Sequence, residues 1–215
     1  CSPILSAASW KDYVFMGSWR NKWQGVLLAH YTHEVLKAKK IAVLFDPTKP
    51  LSHDLSQLYI NYLDKMKIRT EKLTYNGTWQ SKLKNIIAFA PEVLLFPESD
   101  GIEVKKLINS LKNHNIKIQL LGLNSWSSME INSQEFYYVK YFSSHLKTKA
   151  VVSFVDAFKK TSNNRLPSSV AAMGYDVFMT ILSIYKAIAQ DNKIVSFRDG
   201  LLKGTCIPGL LGNRY

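Results

Sequence analysis

The sequence predicts an α/β fold with a doubly wound parallel sheet, because short apolar segments alternate with amphipathic segments along most of the chain. The clearest strand is 40–45, a continuous apolar run bounded by Asp46 and Pro47, which is typical of a parallel strand covered on both faces. The segment 22–36 instead places its apolar residues at helical spacing. The short connections between such segments complete the pattern of strand–helix crossovers.

The other elements of this part of the chain follow the same alternation. Ser52 is predicted to cap the helix that carries Leu55 to Met66, and Asn76-Gly77 predicts a turn. The further predicted strands are 13–16, 68–73, 92–96, 116–121 and 136–141, and the further helices are 79–88, 102–111 and a short one near Met129.

The character of the sequence changes after Tyr141. We predict a helix over 150–160, a loop ending at Pro167, a long helix over 169–190, a short helix over 196–202 and a turn over 209–212. The long helix is apolar, but Asp176 and Lys186 interrupt it, so it is predicted to be a buried helix rather than a membrane span.

The composition is that of a globular protein with a basic surface. The 215 residues include 28 Lys and Arg against 16 Asp and Glu, which gives a net charge of +12. The basic residues are scattered, and the densest cluster is Lys37, Lys39 and Lys40. Because no basic arm or face is visible in the sequence, we expect no nucleic-acid partner. The open alternatives are a solvated lysine surface and a field that attracts anionic ligands or an anionic membrane.

Metal and cofactor sites are not expected. The two cysteines, Cys1 and Cys206, form no CxxC motif, so they predict one disulfide or none, and no zinc site. His30 and His33 are three residues apart on a predicted helix, but only Glu34 could support them as a ligand, which favours a solvated helix face.

Candidate binding residues lie in loops after predicted strands, where doubly wound sheets bind ligands. These loops are 46–52, 97–101 and 122–127. Asp46 at a strand end, or Glu98 with Asp100, could act as a general base in an α/β enzyme. The more ordinary role of Glu98 and Asp100 is to cap a helix, and none of the common catalytic motifs is present. The sequence therefore predicts no enzyme.

The opening segment offers a second set of candidates. Ser6, Ala8 and Ser9 leave backbone N–H groups and hydroxyls able to hold a carboxylate, although an ordinary loop explains them equally. Trp10 and Trp126 lie in or near predicted loops, where tryptophans wall a ligand cleft or pack a lid.

Together these segments resemble the type I periplasmic solute-binding proteins, the branched-chain amino acid family of ABC-transporter receptors. The resemblance covers essentially the whole chain and rests on the order of its parts. These are Pro3 to Ser9, Tyr13-Val14-Phe15, Gln24-Gly25, Lys40 to Asp46, Pro91 to Leu95, Leu121-Gly122 with Trp126, Phe154, Pro167, Gly174-Tyr175-Asp176 and Gly209 to Gly212.

The resemblance implies two lobes that close on a ligand by hinge bending. Residues 1–17 would belong to an incomplete first lobe, 18–141 would form the second lobe, and 142–215 would return into the first lobe. Without the missing first-lobe strands, the helix over 175–189 is expected to expose an apolar face, which leads to a homodimer or to instability. A lipidated cysteine is a common mature N-terminus in this family, but Cys1 falls inside the fold, so we do not assign it as the anchor.

The resemblance also implies roles for particular residues. Ser6, Ala8 and Ser9, with Trp10 adjacent, would hold a ligand carboxylate. In amino-acid binders an acidic side chain of the second lobe holds the ammonium, and the matching position here is near Asn124. Glu98, Ser99 and Asp100 form the loop that could substitute, with Trp126 as a wall. Without a substitute, a neutral or anionic ligand is expected.

The function implied is an extracytoplasmic receptor that captures a small polar ligand, such as an amino acid, amide or carboxylate, and passes it to an ABC permease. It would need no cofactor and would be located in the periplasm or at the outer face of the cytoplasmic membrane. The alternative is a regulatory or partner-binding protein on the same fold, such as a sensor domain or a peptidoglycan-synthase activator.

Overall fold

The computed structural model describes residues 21, 23–129, 136–190, 196–202 and 207–214. The chain forms two compact units, a larger one over Arg20–Val139 and a smaller one that contains the described residues after Val139. The predicted strand over 13–16 and the opening segment with Ser6 to Trp10 lie outside the described residues, so the assignment of 1–17, 18–141 and 142–215 to lobes stays a prediction.

The larger unit is a parallel sheet flanked by helices. Its strands follow the order β2-β1-β3-β4-β5, and every neighbouring pair is parallel. The strands are β1 (Lys40–Phe45), β2 (Arg69–Thr74), β3 (Val93–Leu95), β4 (Gln119–Gly122) and β5 (Phe136–Tyr138). The α-helices among its described residues are α1 (Trp23–Glu34), α2 (Pro50–Lys65), α3 (Leu83–Phe89) and α4 (Gly101–Asn113), with 3-10 turns at Gln80–Lys82 and Asn124–Ser128.

The core of the larger unit explains its apolar runs. β1, β3 and β4 are almost entirely buried, as expected for central parallel strands with helices on both faces. β2 lies at the edge and buries only Leu73 among its six residues, which is why its sequence is mostly polar.

One predicted cap is wrong. Helix α2 begins at Pro50, a residue suited to the first helical turn because it has no N–H to satisfy, and Lys49 precedes it without a side-chain cap. Ser52 is buried inside the helix, and its hydroxyl accepts a hydrogen bond from the backbone N–H of Asp46 at 3.3 Å. Ser52 thus stabilises the loop after β1 instead of capping the helix.

The described part of the smaller unit consists of helices and a hairpin. Its described elements are α5 (Lys149–Thr161), α6 (Ser169–Gln190), α7 (Phe197–Leu202), β6 (Ile207–Gly209) and β7 (Gly212–Arg214). The two strands are antiparallel, with the predicted turn between them. A small core joins α5, α6 and this hairpin through Phe142, Val151, Phe154, Val155, Ala172 and Leu210.

The prediction that α6 is a buried helix is wrong for this unit. Its buried residues are Ala172, Asp176 and Ile184. The large apolar side chains that it exposes are Val170, Tyr175, Val177, Phe178, Ile181 and Tyr185. By length and composition alone, α6 is the one helix among the described residues that could cross a membrane.

The carboxylate of Asp176 ties α6 to the hairpin. Its Oδ1 accepts a hydrogen bond from the backbone N–H of Leu210 at 2.8 Å, and its Oδ2 accepts one from Leu211 at 3.1 Å. A Cβ on Gly209 would come within 2.8 Å of Oδ2, so the hairpin needs glycine there. This contact places α6 in the fold of the smaller unit and not in a bilayer, where a buried carboxylate is costly.

Candidate functional site

The candidate site lies at the carboxyl edge of the sheet in the larger unit. The chain passes from β1 to β2 on one side and then crosses to β3 on the other side of β1. The reversal creates a topological switch point between β1 and β3, which is where open α/β sheets bind ligands. The loops that follow these two strands carry Asp46, Lys49 and Glu98.

Glu98 is the centre of a saturated hydrogen-bond network. Its side chain is 4% exposed, and its Oε1 accepts from the backbone N–H groups of Ser99 at 2.8 Å and Asp100 at 3.1 Å. Its Oε2 accepts from Lys49 Nζ at 2.7 Å and from the hydroxyl of Tyr75 at 3.2 Å. A carboxylate with four donors is held in one orientation, so Glu98 has little capacity left for a ligand ammonium or a proton-transfer role.

The ion pair between Lys49 and Glu98 bridges the switch point. The hydrogen bond to Glu98 raises the pKa of Lys49, and the nearby carboxylates of Asp46 and Asp100 add to the effect. The Lys49 side chain is 52% exposed, so its ammonium also faces solvent. Lys49 therefore offers a cation to a ligand at this edge while remaining anchored to Glu98.

Asp46 is also used internally. Its Oδ1 accepts from the hydroxyl of Thr48 at 2.6 Å and from the Thr48 N–H at 2.9 Å. These bonds, led by the one from the hydroxyl, lower the pKa of Asp46 although burial opposes them. The Asp46 carboxylate holds the turn after β1 and is not poised as a general base.

Buried aromatic side chains pack beside the Glu98 hydrogen-bond network. Tyr75 and Trp79 are buried and pack against Phe96 with ring centroids at 6.3 and 6.2 Å. Trp79 Nε1 donates to Glu103 at 2.8 Å. Burial, followed by the charge of Glu98, raises the pKa of Tyr75, so its hydroxyl stays a donor to that carboxylate.

Trp126 is part of the core of this unit. It is 1% exposed, and its Nε1 donates to the backbone carbonyl of Glu98 at 2.7 Å. A Cβ on Gly122 would overlap the Trp126 ring, so the glycine at the end of β4 provides the space that the ring fills. Trp126 positions the Glu98 loop, and its predicted role as a ligand wall stays a prediction.

Asn124 is held by a residue 100 positions away. Gln24 Nε2 donates to Asn124 Oδ1 at 3.0 Å, and the Asn124 N–H donates to Gln24 Oε1 at 2.8 Å. This reciprocal pair connects α1 to the loop after β4. The Nδ2 atom of the Asn124 side chain makes no hydrogen bond to any described residue. Its N–H₂ group is therefore a candidate donor to a ligand.

Ser99 and Asp100 form the exposed part of the loop. Asp100 caps α4, because its Oδ1 accepts from the Ile102 N–H at 2.8 Å. Its Oδ2 makes no hydrogen bond to a described residue, so one carboxylate oxygen faces solvent. Of the acids considered from the sequence, Asp100 is the one that could bind a cationic group.

The structure thus brings Glu98, Ser99, Asp100, Asn124 and Trp126 into neighbouring loops at one edge of the sheet. The predicted residues Ser6, Ala8, Ser9 and Trp10 lie outside the described residues. Sequence reasoning missed three residues that organise the site: Lys49, Tyr75 and Gln24. The position of Lys49 in the loop after β1 was a visible signal, whereas nothing in the sequence connects Gln24 to Asn124.

Among the described residues, no group of three or more His, Cys, Asp or Glu side chains could hold a metal ion. His33 bonds the adjacent Glu34 at 2.7 Å. Cys1 and Cys206 lie outside the described residues, so their pairing stays a prediction.

Comparison with solved structures reveals the fold family. An ABC transporter substrate-binding protein from Desulfitobacterium hafniense is 19% identical and covers 99% of this chain with a TM-score of 0.79, and a leucine-binding protein from Thermotoga maritima is 16% identical and covers 99% with a TM-score of 0.77. This chain has the type I periplasmic binding-protein fold. The fold class and the resemblance predicted from the sequence are therefore confirmed.

A third protein with the type I fold is an ABC transporter solute-binding protein from R. palustris, solved in complex with benzoate. It is 16% identical and covers 98% of this chain with a TM-score of 0.73. The chain spans 60 to 62% of the length of these three proteins. No protein-family model and no curated protein matches the sequence.

Proposed function

We propose that this chain belongs to an extracytoplasmic solute-binding receptor that binds a small carboxylate-bearing ligand and delivers it to an ABC permease. The observation that carries the proposal is the polar cluster at the switch point of a type I binding fold. Its Lys49 ammonium and Asp100 carboxylate are exposed, and Asn124 is partly buried with its side-chain nitrogen unbonded to any described residue, while Glu98 and Asp46 are used internally. The cluster binds without performing chemistry, because its buried carboxylates are already hydrogen-bonded.

The proposed ligand class follows from these outward groups. A ligand carboxylate would be held by the Lys49 ammonium and the Asn124 N–H₂ group. An ammonium on the same ligand would be held by Asp100, which takes the role that the sequence suggested for an acid near Asn124. The names of two proteins with this fold support a carboxylate ligand, since leucine and benzoate both carry that group.

A second candidate function is a partner-binding protein on the same fold. The exposed apolar face of α6 favours it. So does an adjacent apolar groove of about 320 Å³, which is lined mainly by Phe154, Phe158 and Tyr175. This candidate predicts binding of a protein and no response to small molecules.

A thermal-shift and calorimetry series tests the two functions. The compounds are leucine, benzoate, small amides and sugars, and a binder raises stability by about 2.7 kcal/mol at a hundredfold excess over its Kd. The variant Ser99→Trp fills the exposed loop without touching the core and is expected to abolish the shift. The matched control Ser81→Trp, at another exposed serine of the larger unit, is expected to retain it.

Asp100→Asn separates the ligand classes. Asparagine caps a helix as well as aspartate does, so α4 is preserved and only the charge is removed. We expect about tenfold weaker binding of leucine and no change for benzoate. An absence of any shift for the unaltered chain, or a shift that Ser99→Trp leaves intact, would contradict this site.

A further inference from the structure

The opposite edge of the same sheet carries a cluster of basic side chains, here called the basic edge. It comprises Lys37, Lys39, Lys40, Lys65, Lys67 and Arg69. The first three lie between α1 and the start of β1, and the last three between the end of α2 and the start of β2. Since β1 and β2 are adjacent and parallel, all six lie at the amino ends of neighbouring strands.

Two of these cations are in direct register. Lys40 and Arg69 are paired residues at the first position of β1 and β2, an arrangement that like charges disfavour. Both lie over one ring: Lys40 Nζ is 4.9 Å and the Arg69 guanidinium carbon 5.6 Å from the centroid of Phe89. Cation–π attraction to this ring holds the two charged groups near each other.

Two further lysines occupy strained backbone positions. Lys37 has a φ of 52° and Lys67 a φ of 58°, in the left-handed region that favours glycine. Lys67 directly follows the C-terminal cap of α2, where glycine or asparagine is usual, and the equivalent position after α4 is Asn115. The backbone at these two positions thus favours glycine or asparagine over lysine.

The basic edge is not neutralised by its surroundings. The carboxylates near this edge are Glu34, Asp64, Glu71 and Glu92, four against the six cations. Glu34 contacts His33, Asp64 pairs with Lys72, and Glu92 accepts a hydrogen bond from the backbone N–H of Lys39. No ion pair joins any of the six cations to a carboxylate of the described chain. An excess of cationic groups therefore faces solvent about 20 Å along β1 from the candidate ligand site.

We propose that the basic edge docks the larger unit onto an anionic membrane surface. Five of the six cations are lysines, compact charges on flexible stems that suit many headgroup phosphates without a fixed geometry. Docking through this edge leaves the carboxyl edge of the sheet open for ligand. Separately, α6 of the smaller unit exposes Tyr175, Phe178 and Tyr185, the types of side chain that enter a membrane interface.

Vesicle flotation tests this proposal. The chain is expected to bind phosphatidylcholine vesicles containing phosphatidylglycerol, to bind pure phosphatidylcholine weakly, and to dissociate as salt is raised. The triple variant Lys37→Gln/Lys39→Gln/Lys67→Gln is expected to bind roughly tenfold or more weakly. The matched control Lys82→Gln/Lys84→Gln/Lys105→Gln removes the same charge near the starts of α3 and α4, and is expected to bind within about twofold of the unaltered chain.

A second variant separates binding from folding. Lys37→Gly/Lys67→Gly is expected to melt at the same or a higher temperature, because glycine relieves the positive φ, and yet to bind vesicles more weakly. Equal losses in the two triple variants would overturn the proposal in favour of a response to net charge. Displacement from vesicles by a short RNA at lower concentration than by phosphatidylglycerol would assign the edge to nucleic acid instead.

Discussion

Helices with similar apolar patterns are buried to different extents in the two units. In the larger unit α4 buries Val104, Leu107, Ile108 and Leu111 against the sheet. In the smaller unit α6 is longer and more apolar, yet Phe178 and Tyr185 are each 61% exposed. Among the described residues, the sheet available to each helix differs: five strands in the larger unit, and a hairpin of three-residue strands in the smaller one. An apolar stripe therefore shows that burial of this helix face would be favourable, but it does not show that another element covers the face.

The largest difference between the two units is expected when a buried apolar side chain is shortened to alanine. Leu94→Ala, at the centre of β3 and fully buried, is expected to lower the free energy of unfolding by about 2–5 kcal/mol. Phe178→Ala on the exposed face of α6, where the side chain is 61% exposed, is expected to change it by at most about 0.5 kcal/mol. Urea titrations followed by circular dichroism measure both. Comparable losses would mean that the α6 face is covered in solution.

Glycine substitutions should act in opposite directions in the two units. Gly122→Ala drives a methyl group into the ring of Trp126 and is expected to cost about 1–3 kcal/mol or more. Gly174→Ala, in the middle of α6 with nothing within 4 Å, is expected to stabilise by about 0.5–1 kcal/mol through helix propensity. Thermal melts of the two variants check the signs, and a destabilised Gly174→Ala would contradict the exposed position of that glycine.

The smallest expected effect is a pH dependence specific to the larger unit. Because the folded-state pKa of Asp46 lies below its ordinary value, its contribution is present above about pH 4 and is lost as pH falls through the folded-state pKa. Asp46→Asn should therefore flatten the fall in stability between pH 5 and 3, roughly the range in which carboxylates titrate. In a background with Trp10→Phe and Trp19→Phe, tryptophan fluorescence reports only on the larger unit, because the remaining Trp23, Trp79 and Trp126 all lie in it. If the slope of stability against pH is the same in the variant, the Thr48 hydrogen bonds do not lower the pKa of Asp46.

The sequence pattern was sufficient for elements whose signal is local. The bounds of β1 and of α6 match the predicted 40–45 and 169–190, since a continuous apolar run and a long helical stripe are legible without tertiary contacts. The burial of α6 was not predictable in the same way. A stripe shows which face is apolar but not what lies against it.

The same limit applies to the site. Glu98, Ser99 and Asp100 could be placed at the carboxyl edge because they follow a strand, but their different roles depend on contacts from distant residues. Lys49 and Tyr75 saturate Glu98, and Gln24 orients Asn124 from 100 residues away. Trp126 was predicted as a wall because it lies in a loop, and that role stays a prediction, but the loop position alone could not show that its ring fills the space left by Gly122. Pairings across the fold decide which candidate residue stays available to a ligand.

The hold of Asp176 on the hairpin also sets an order of synthesis. Its two backbone partners, Leu210 and Leu211, leave the ribosome 34 and 35 residues after it. Until then the two hydrogen bonds that Asp176 accepts from the hairpin cannot form, and burying its carboxylate costs more. The smaller unit can therefore assemble only after the hairpin has been made, while the sheet of the larger unit is already complete. A nascent chain whose α6 has emerged while the hairpin is still inside the ribosome would hold one finished unit and one apolar helix without its hairpin, a natural target for a chaperone.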